Sequence, residues 1–427
     1  MAQLLALSDY WWEWLGLGFR WLHVIAAFAW IGASFYFVLL DNSLAKPDSD
    51  DLQGKGVDGE MWAVHGGGFY HSNKYMVAPR WRPLPQNLHW SYWESYSTWL
   101  TGFGLLTVLY LFNAGSFLID RNVHAWAPSA AIAAVLTFLV VFWILYDAIC
   151  RTLGRGKHGD LLVGVLVFSL VVFAAFAACH LFAGRAAFLL VGAMMATAMT
   201  ANVFFWIIPG QRKVVAQLRA GQEPDRIHGI RGKQRSVHNT YFTLPVIFAM
   251  LSNHYGWLYQ GPNNWLVLVS VMLAAALIRH SFVSRHKAHV LGLRTPWEHA
   301  IVGVTLVLSV VAWRMPGPVG DAPVVAEAPA PALVASTVAA VADAGPKPGT
   351  FASVKSVFDQ RCVLCHNAQV QNKGIELDRP ELVKQHSQEI FQQAVLLKQM
   401  PLNNATSITD PERELIRRWY DAGAPAQ

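Results

Sequence analysis

Charged residues are scarce in this chain. Only 14% of its 427 residues are Asp, Glu, Lys or Arg, while 54% are hydrophobic and 18 are tryptophan, a balance that excludes a soluble enzyme carrying a tail. Uncharged apolar runs of spanning length recur instead, which marks a polytopic membrane protein. About eight can be counted, at 14–40, 97–118, 128–149, 161–182, 186–208, 240–259, 265–282 and 299–313. The last is short, and the first carries Arg20 and His23. The expected fold is all-α: a polytopic helical membrane bundle of about eight spans over residues 1–315, with a further C-terminal domain.

Cysteine is scarcer still, and the positions of the four are informative. Cys150 and Cys179 lie in apolar runs, whereas Cys362 and Cys365 stand in Arg361-Cys362-Val363-Leu364-Cys365-His366. Without a second close pair, a zinc ribbon lacks half its ligands. Without a βαβ setting, a thioredoxin-like redox pair has no frame. The spacing fits covalent haem c, with the two thiols on the vinyl groups and His366 as the proximal iron ligand. Met400 is the only methionine after Met315 and is therefore the expected second iron ligand, held in a turn by Pro401. His386 is the weaker alternative. His/Met ligation raises the potential and suits electron transfer. A short helix is expected over 351–359 and an amphipathic closing helix over 411–422 with Asp410 as N-cap, so 350–427 reads as a class-I-like cytochrome c domain. Residues 316–349, rich in Ala and Pro, read as a semi-extended linker that keeps the haem c at high effective concentration beside the bundle.

Lysine and arginine are nearly absent from alternate loops. The connections after spans one, three, five and seven hold Lys46, Lys55, Lys74, Arg80 and Arg82, then Arg151, Arg155 and Lys157, then the cations from Arg212 to Arg235, then Arg285, Lys287 and Arg294. The opposite set holds little beyond Arg121 and Arg185. The basic loops are expected to be cytoplasmic, so the N-terminus and the cytochrome domain face the periplasm of a bacterial inner membrane, the side on which haem c is attached. The pI near 9.1 is then a matter of orientation in the lipid bilayer, and no nucleic-acid partner is needed to explain it.

Histidines inside spans are expensive and mark function. They fall in two layers: His23, His180 and His254 toward the outside, and His238, His280, His286, His289 and His299 toward the cytoplasm. Interfacial hydrogen bonding accounts for His180, His289 and His299 taken singly. As a set, histidines on facing helices are how b-type haem is held, and His23, His254 and His280 are the expected donors for one or two such haems. The polar loop 41–96 concentrates His65, His71, Lys74, His89 and Glu94 among aromatics, beside Gly66-Gly67-Gly68. That mixture suits oxidation of a planar, hydrogen-bonding substrate: faces to stack on, donors to grip, a base to take protons. The tryptophans there also fit an interfacial belt. A second polar group opens span six, where Arg235, His238 and Asn239 meet the cytoplasmic face.

The stretches MWAVHGGGFYHSNKY, LHWSYWESYSTWLTG and HNTYFTLPVIFAMLSNHY, joined to a C-terminal CxxCH domain, resemble the membrane-integral, cytochrome-c-linked urate oxidases, also called urate hydroxylases. The resemblance covers nearly the whole chain. It implies an eight-span domain followed by a cytochrome c. The implied activity is oxidation of urate to 5-hydroxyisourate, with electrons passing to a respiratory acceptor such as a soluble cytochrome c or a terminal oxidase, and no peroxide. The first span also looks like the opening helix of the membrane protoporphyrinogen oxidases, with His23 in the haem-b ligand position. Two other readings stay open: a quinol-to-cytochrome electron conduit and a haem-based redox sensor.

Overall fold

The computed structural model describes residues 2–120, 123–153, 159–259, 262–315, 350–368, 370–371, 375–396 and 398–426. The expected linker at 316–349 and the loop cations Arg121, Arg155 and Lys157 lie outside the described residues. Contacts divide the chain into two units, Met1–Val307 and Leu308–Gln427.

Helices make most of the first unit. In chain order they are α1 (Ala2–Ser43), the short α2 (Asp50–Gly54), α3 (Trp93–Leu105, extended by a π-helical turn Leu106–Leu111), the short α4 (Ala114–Phe117), α5 (Pro128–Leu153), α6 (Gly159–Leu181) and α7 (Gly184–Ala201). A π turn Asn202–Ile207 leads into α8 (Ile208–Arg219), followed by α9 (Arg226–Leu251), the short α10 (Gly256–Tyr259), α11 (Asn264–Val290) and α12 (Glu298–Trp313). Among the described residues, five stretches are long and apolar enough to cross a membrane: Trp14–Ser43, Pro128–Leu153, Gly159–Leu181, Gly184–Arg219 and Asn264–Val290. The remaining expected spans coincide with α3 and its π turn, with α9 and with the 16-residue α12. α9 begins well before the apolar run at 240, because Asp225 caps it by accepting from the Ile227 amide at 2.9 Å and the polar stretch from Arg226 propagates the helix.

α7 is the centre of the bundle. It packs on α5, α6 and α9, while α1 lies along α3 and α11. Small residues let the neighbours close in, so Ala186, Ala187, Phe188, Leu190, Met194 and Ala198 of α7 are fully buried. The outward faces of α5 and α6 expose Val140, Ile144, Val165 and Phe173, as hydrocarbon-facing helices do.

The chain also contains strands, which the all-α expectation missed. β1 (Gly59–His65) pairs antiparallel with β2 (Gly68–Lys74), from Gly59 opposite Lys74 to His65 opposite Gly68. The two linking residues, Gly66 and Gly67, have φ of 59° and 80°, the positive values that a type I′ hairpin turn requires of both positions. The glycine run is therefore a tight turn.

The second unit contains α13 (Phe351–Arg361), the two-residue strands β3 (His366–Asn367) and β4 (Val370–Gln371), α14 (Pro380–Gln385), α15 (Ser387–Ile390) and α16 (Asp410–Asp421). α13 packs on α16, with Phe358 edge-on to Trp419 at 5.3 Å. Arg413, Ile416 and Trp419 face inward at the spacing of one helical face. The N-cap is Thr409 rather than Asp410. Its side chain and the Glu412 carboxylate bond each other's backbone amides as a capping box, which places Asp410 inside the first turn.

This cap predicts acid sensitivity. Partial burial pushes the Glu412 carboxyl up, but bonds from Thr409 and Arg361 outweigh it and hold it below its ordinary 4.5. A hydrogen bond from Lys398 lowers Asp410 in the same way. A carboxylate with a lowered native pKa contributes stability that is complete above its unfolded value and is lost as pH falls through the native one. The urea midpoint for loss of α16 amide protection is therefore expected to be flat above about pH 5 and to drop below about pH 4.5. Glu412→Gln should flatten that drop.

Candidate functional site

Two polar clusters lie inside the bundle. The first joins α5, α7 with its π turn, and α9. Asp147, in an otherwise apolar stretch of α5, is 8% exposed. Its carboxylate accepts from Arg235 Nη2 at 2.7 Å and Trp206 Nε1 at 2.8 Å, and lies 2.7 Å from Arg151 Nε. Arg235 Nη1 donates to the Asn202 side-chain oxygen at 3.3 Å. Asn202 in turn donates to the Tyr146 hydroxyl and to the Asn239 side-chain oxygen, each at 2.9 Å, and Asn239 donates to the Met199 carbonyl at 3.0 Å. Since Tyr146 accepts from Asn202, its own O–H is free to point at His238 Nδ1, 2.8 Å away. Cys150 Sγ is 3.7 Å from the same nitrogen.

This cluster brings together three expected residues, Arg235, His238 and Asn239. It adds Tyr146, Asp147, Asn202 and Trp206, which the sequence reading did not select. Asp147 carried a usable signal, being an acidic residue within an expected span. The cluster is closed: charge meets charge and donors meet acceptors. Trp143, beside the Arg235 guanidinium, also lines a cavity of about 600 Å³ walled by Trp93, Tyr96, Trp99, Phe103 and Phe204. That wall is aromatic and suits an apolar ring.

The second cluster joins α1, α9, α11 and α12. The Tyr241 hydroxyl is 2.6 Å from His280 Nδ1, and His280 packs on His299 with ring centres 4.5 Å apart. Ser281 fixes the start of α12 by donating to the Pro296 carbonyl and accepting from the Ala300 amide, which sets His299 beside His280. Arg279 is 5% exposed, and its Nε and Nη2 have no hydrogen-bond partner, nor has His299 Nδ1.

The loop residues are not gathered into one place. His71 Nε2 lies 2.5 Å from Glu60, and its ring stacks on Trp62 at 4.0 Å. Lys74 pairs with Asp41 at 2.6 Å. His65 is exposed beside the hairpin turn, His89 is exposed before α3, and Glu94 is half-buried in the first turn of α3.

The three histidines expected to hold b-type haem have different partners. His23 Nδ1 donates to the Thr98 carbonyl at 3.0 Å, so its Nε2 is the free nitrogen, the tautomer a metal ligand needs. His280 has the orphaned guanidinium of its neighbour Arg279 on the same helix, a fit for an acidic substituent. His254 is exposed in the turn after α9. The His23 ring lies against Gly102, where an added Cβ would stand 2.8 Å from Cε1. Gly102→Ala is therefore expected to lose about 1–3 kcal/mol by overpacking. Thermal melting of the detergent-solubilised protein reads this, and an unchanged midpoint would refute a tight α1–α3 seam.

In the second unit the residues fit a covalent haem. Cys362 is buried at the end of α13, its thiol pushed up to about 12 by burial, while Cys365 is exposed. His366 Nδ1 donates to the Ile375 carbonyl at 3.2 Å, again leaving Nε2 for iron. The Met400 backbone is fixed at both ends, its amide donating to the Gln393 carbonyl at 2.9 Å and its carbonyl accepting from buried Arg413 at 2.8 Å. His386 lies 4.0 Å from Glu389.

No curated protein and no solved structure matches the chain. Residues 9–315 match the family model described as Urate oxidase N-terminal. That match spans well over half of the sequence and takes in both polar clusters, and the chain belongs to the urate oxidase N-terminal family.

Proposed function

We propose that this protein oxidises urate to 5-hydroxyisourate within the helical bundle and delivers the electrons to a tethered haem c. The family match over 9–315 carries this reading. The reaction balances as urate plus water giving 5-hydroxyisourate, two protons and two electrons. Oxygen comes from water, and no peroxide forms. The protons need an acceptor, and the bundle holds the Tyr146–His238 pair, in which an imidazole can take a proton while the phenol orients it.

Haem c, held by Cys362, Cys365 and His366 with Met400 as sixth ligand, would supply a one-electron carrier. One or two b-type haems, with His23, His254 or His280 as nitrogen donors, would supply carriers across a hydrocarbon layer of about 30 Å. In this reading the bundle crosses a bacterial inner membrane eight times, with basic loops in the cytoplasm and the second unit in the periplasm. The final acceptor is a soluble cytochrome c or a terminal oxidase.

The aromatic cavity near Arg235 favours one other reading, a conduit reduced by quinol. Anaerobic reduced-minus-oxidised spectra separate the two. Urate is expected to reduce a c-type band and a distinct b-type band. Reduction by quinol, with none by urate, would replace the oxidase with the conduit.

A further inference from the structure

The aromatic cavity of about 600 Å³ is a groove in the side of the bundle, walled by α3, α5 and α7 with its π turn. Leu100, Val140, Phe204 and Phe205 line it and are exposed, so it opens toward the hydrocarbon that the apolar spans imply. It follows α3 from Trp93 to Phe103, a rise of about 15 Å. That is about half of a 30 Å hydrocarbon layer, the depth of one leaflet. Thr197 donates to the Ala193 carbonyl and accepts from Trp99 Nε1, and Thr200 donates to the Ser95 carbonyl. These hydroxyls are spent within the protein, which suits acyl chains better than a ring carrying carbonyl oxygens.

One end of the groove is positively charged. Tyr96 in its wall packs on Phe204 at 5.6 Å and interacts electrostatically with the Arg212 guanidinium, which lies 6.0 Å from the Tyr92 ring and 5.9 Å from the Trp90 ring. On the α5 side, Trp143 stacks on Phe205 at 5.9 Å. The next residue, Trp206, has Arg151 at 4.8 Å and Arg231 at 5.7 Å from its ring. The Asp147 carboxylate is already shared by Arg151 and Arg235, and Arg212 and Arg231 meet no carboxylate among their described contacts. The other end, toward Phe103 and Leu136, is apolar. Cations and aromatic rings at one end with hydrocarbon at the other match the profile of an anionic leaflet.

We propose that this groove holds an anionic phospholipid from the leaflet on the side of the basic loops. Its acyl chains lie against Trp99, Phe103 and Val140, and its headgroup turns toward Arg212, with Arg231 adding to the positive field. The phosphate supplies acceptors for a guanidinium, and each cation near an anionic headgroup strengthens binding about fivefold. The inference uses the apolar spans and not the substrate, so reduction of haem by urate neither supports nor opposes it.

The test is native mass spectrometry of the full-length protein, stripped of lipid in detergent and then given dioleoylphosphatidylglycerol or dioleoylphosphatidylcholine. Wild type is expected to hold the anionic lipid about tenfold more tightly than the zwitterionic one. Arg212→Gln/Arg231→Gln should lose most of that preference while binding phosphatidylcholine as wild type does. Val140→Trp, which fills the groove from its exposed side and leaves the arginines in place, should lose both lipids. Equal binding of the two lipids by wild type overturns the proposal, as does a preference that survives the arginine variant. Lipid retained by Val140→Trp places the chains elsewhere and also overturns it. If decylubiquinone binds where neither lipid does, and Val140→Trp excludes it, the occupant is a quinone and the conduit gains its site. A lipid-free wild-type dimer that Val140→Trp splits would make the groove a contact between two copies.

Discussion

Asp147→Leu is expected to destabilise the bundle by about 3–5 kcal/mol, because it strands the Arg235 guanidinium without its buried counter-charge. Arg235 has no second carboxylate to turn to in its described contacts, only Asn202 and aromatic faces. Arg235→Met leaves Asp147 with Arg151 and Trp206 and should destabilise less. The double variant Asp147→Leu/Arg235→Met removes both charges and is expected to recover most of the loss, since replacing a buried ion pair with apolar groups is often neutral. A double-mutant cycle on melting in detergent measures the coupling. Additive effects would show that the two side chains do not depend on each other. His238→Ala in the same cluster should leave melting nearly unchanged and instead slow any proton transfer that runs through Tyr146.

Cys362→Ala/Cys365→Ala is expected to abolish covalent haem altogether, read as loss of the c-type pyridine haemochrome and of haem staining on a denaturing gel. Met400→Ala should leave the haem attached and shift its potential downward, by some fraction of the roughly 0.8 V over which axial ligands tune haem iron. Arg413→Leu, which frees the Met400 carbonyl, should produce a smaller shift in the same direction. Retention of covalent haem in the double cysteine variant would remove the cytochrome reading of the second unit. An unchanged potential in Met400→Ala would reassign the sixth ligand, with His386 the nearest rival in sequence.

The helices were legible because their signal is local. Apolar runs at 128–149, 161–182 and 265–282 became α5, α6 and α11, since a stretch that cannot hydrogen-bond with lipid must satisfy its own backbone. The hairpin at 59–74 was less visible. Its alternating aromatics flank a Gly-Gly turn, a recognised hairpin signal, but they were read as a polar loop, and pairing across the turn absorbs His71 and its Glu60 partner. The cap of α16 moved by one residue for an equally local reason, a reciprocal pair of bonds that favours Thr409 over Asp410.

By itself the sequence determined a mostly helical chain in which long apolar runs recur, a Cys-x-x-Cys-His motif at Cys362, Cys365 and His366, and the nearness of Arg235, His238 and Asn239, which lie about one turn apart on a single helix. Only the tertiary structure decided which charges are neutralised. Asp147 and Arg235 are 88 residues apart in the chain and meet at 2.7 Å, while Arg279, equally buried, meets no carboxylate among its described contacts. Periodicity reports which face of a helix turns inward. The partner waiting there depends on the crossing of α5, α7 and α9 in one place and of α1, α9, α11 and α12 in another, and those crossings are set by packing between segments distant in the chain.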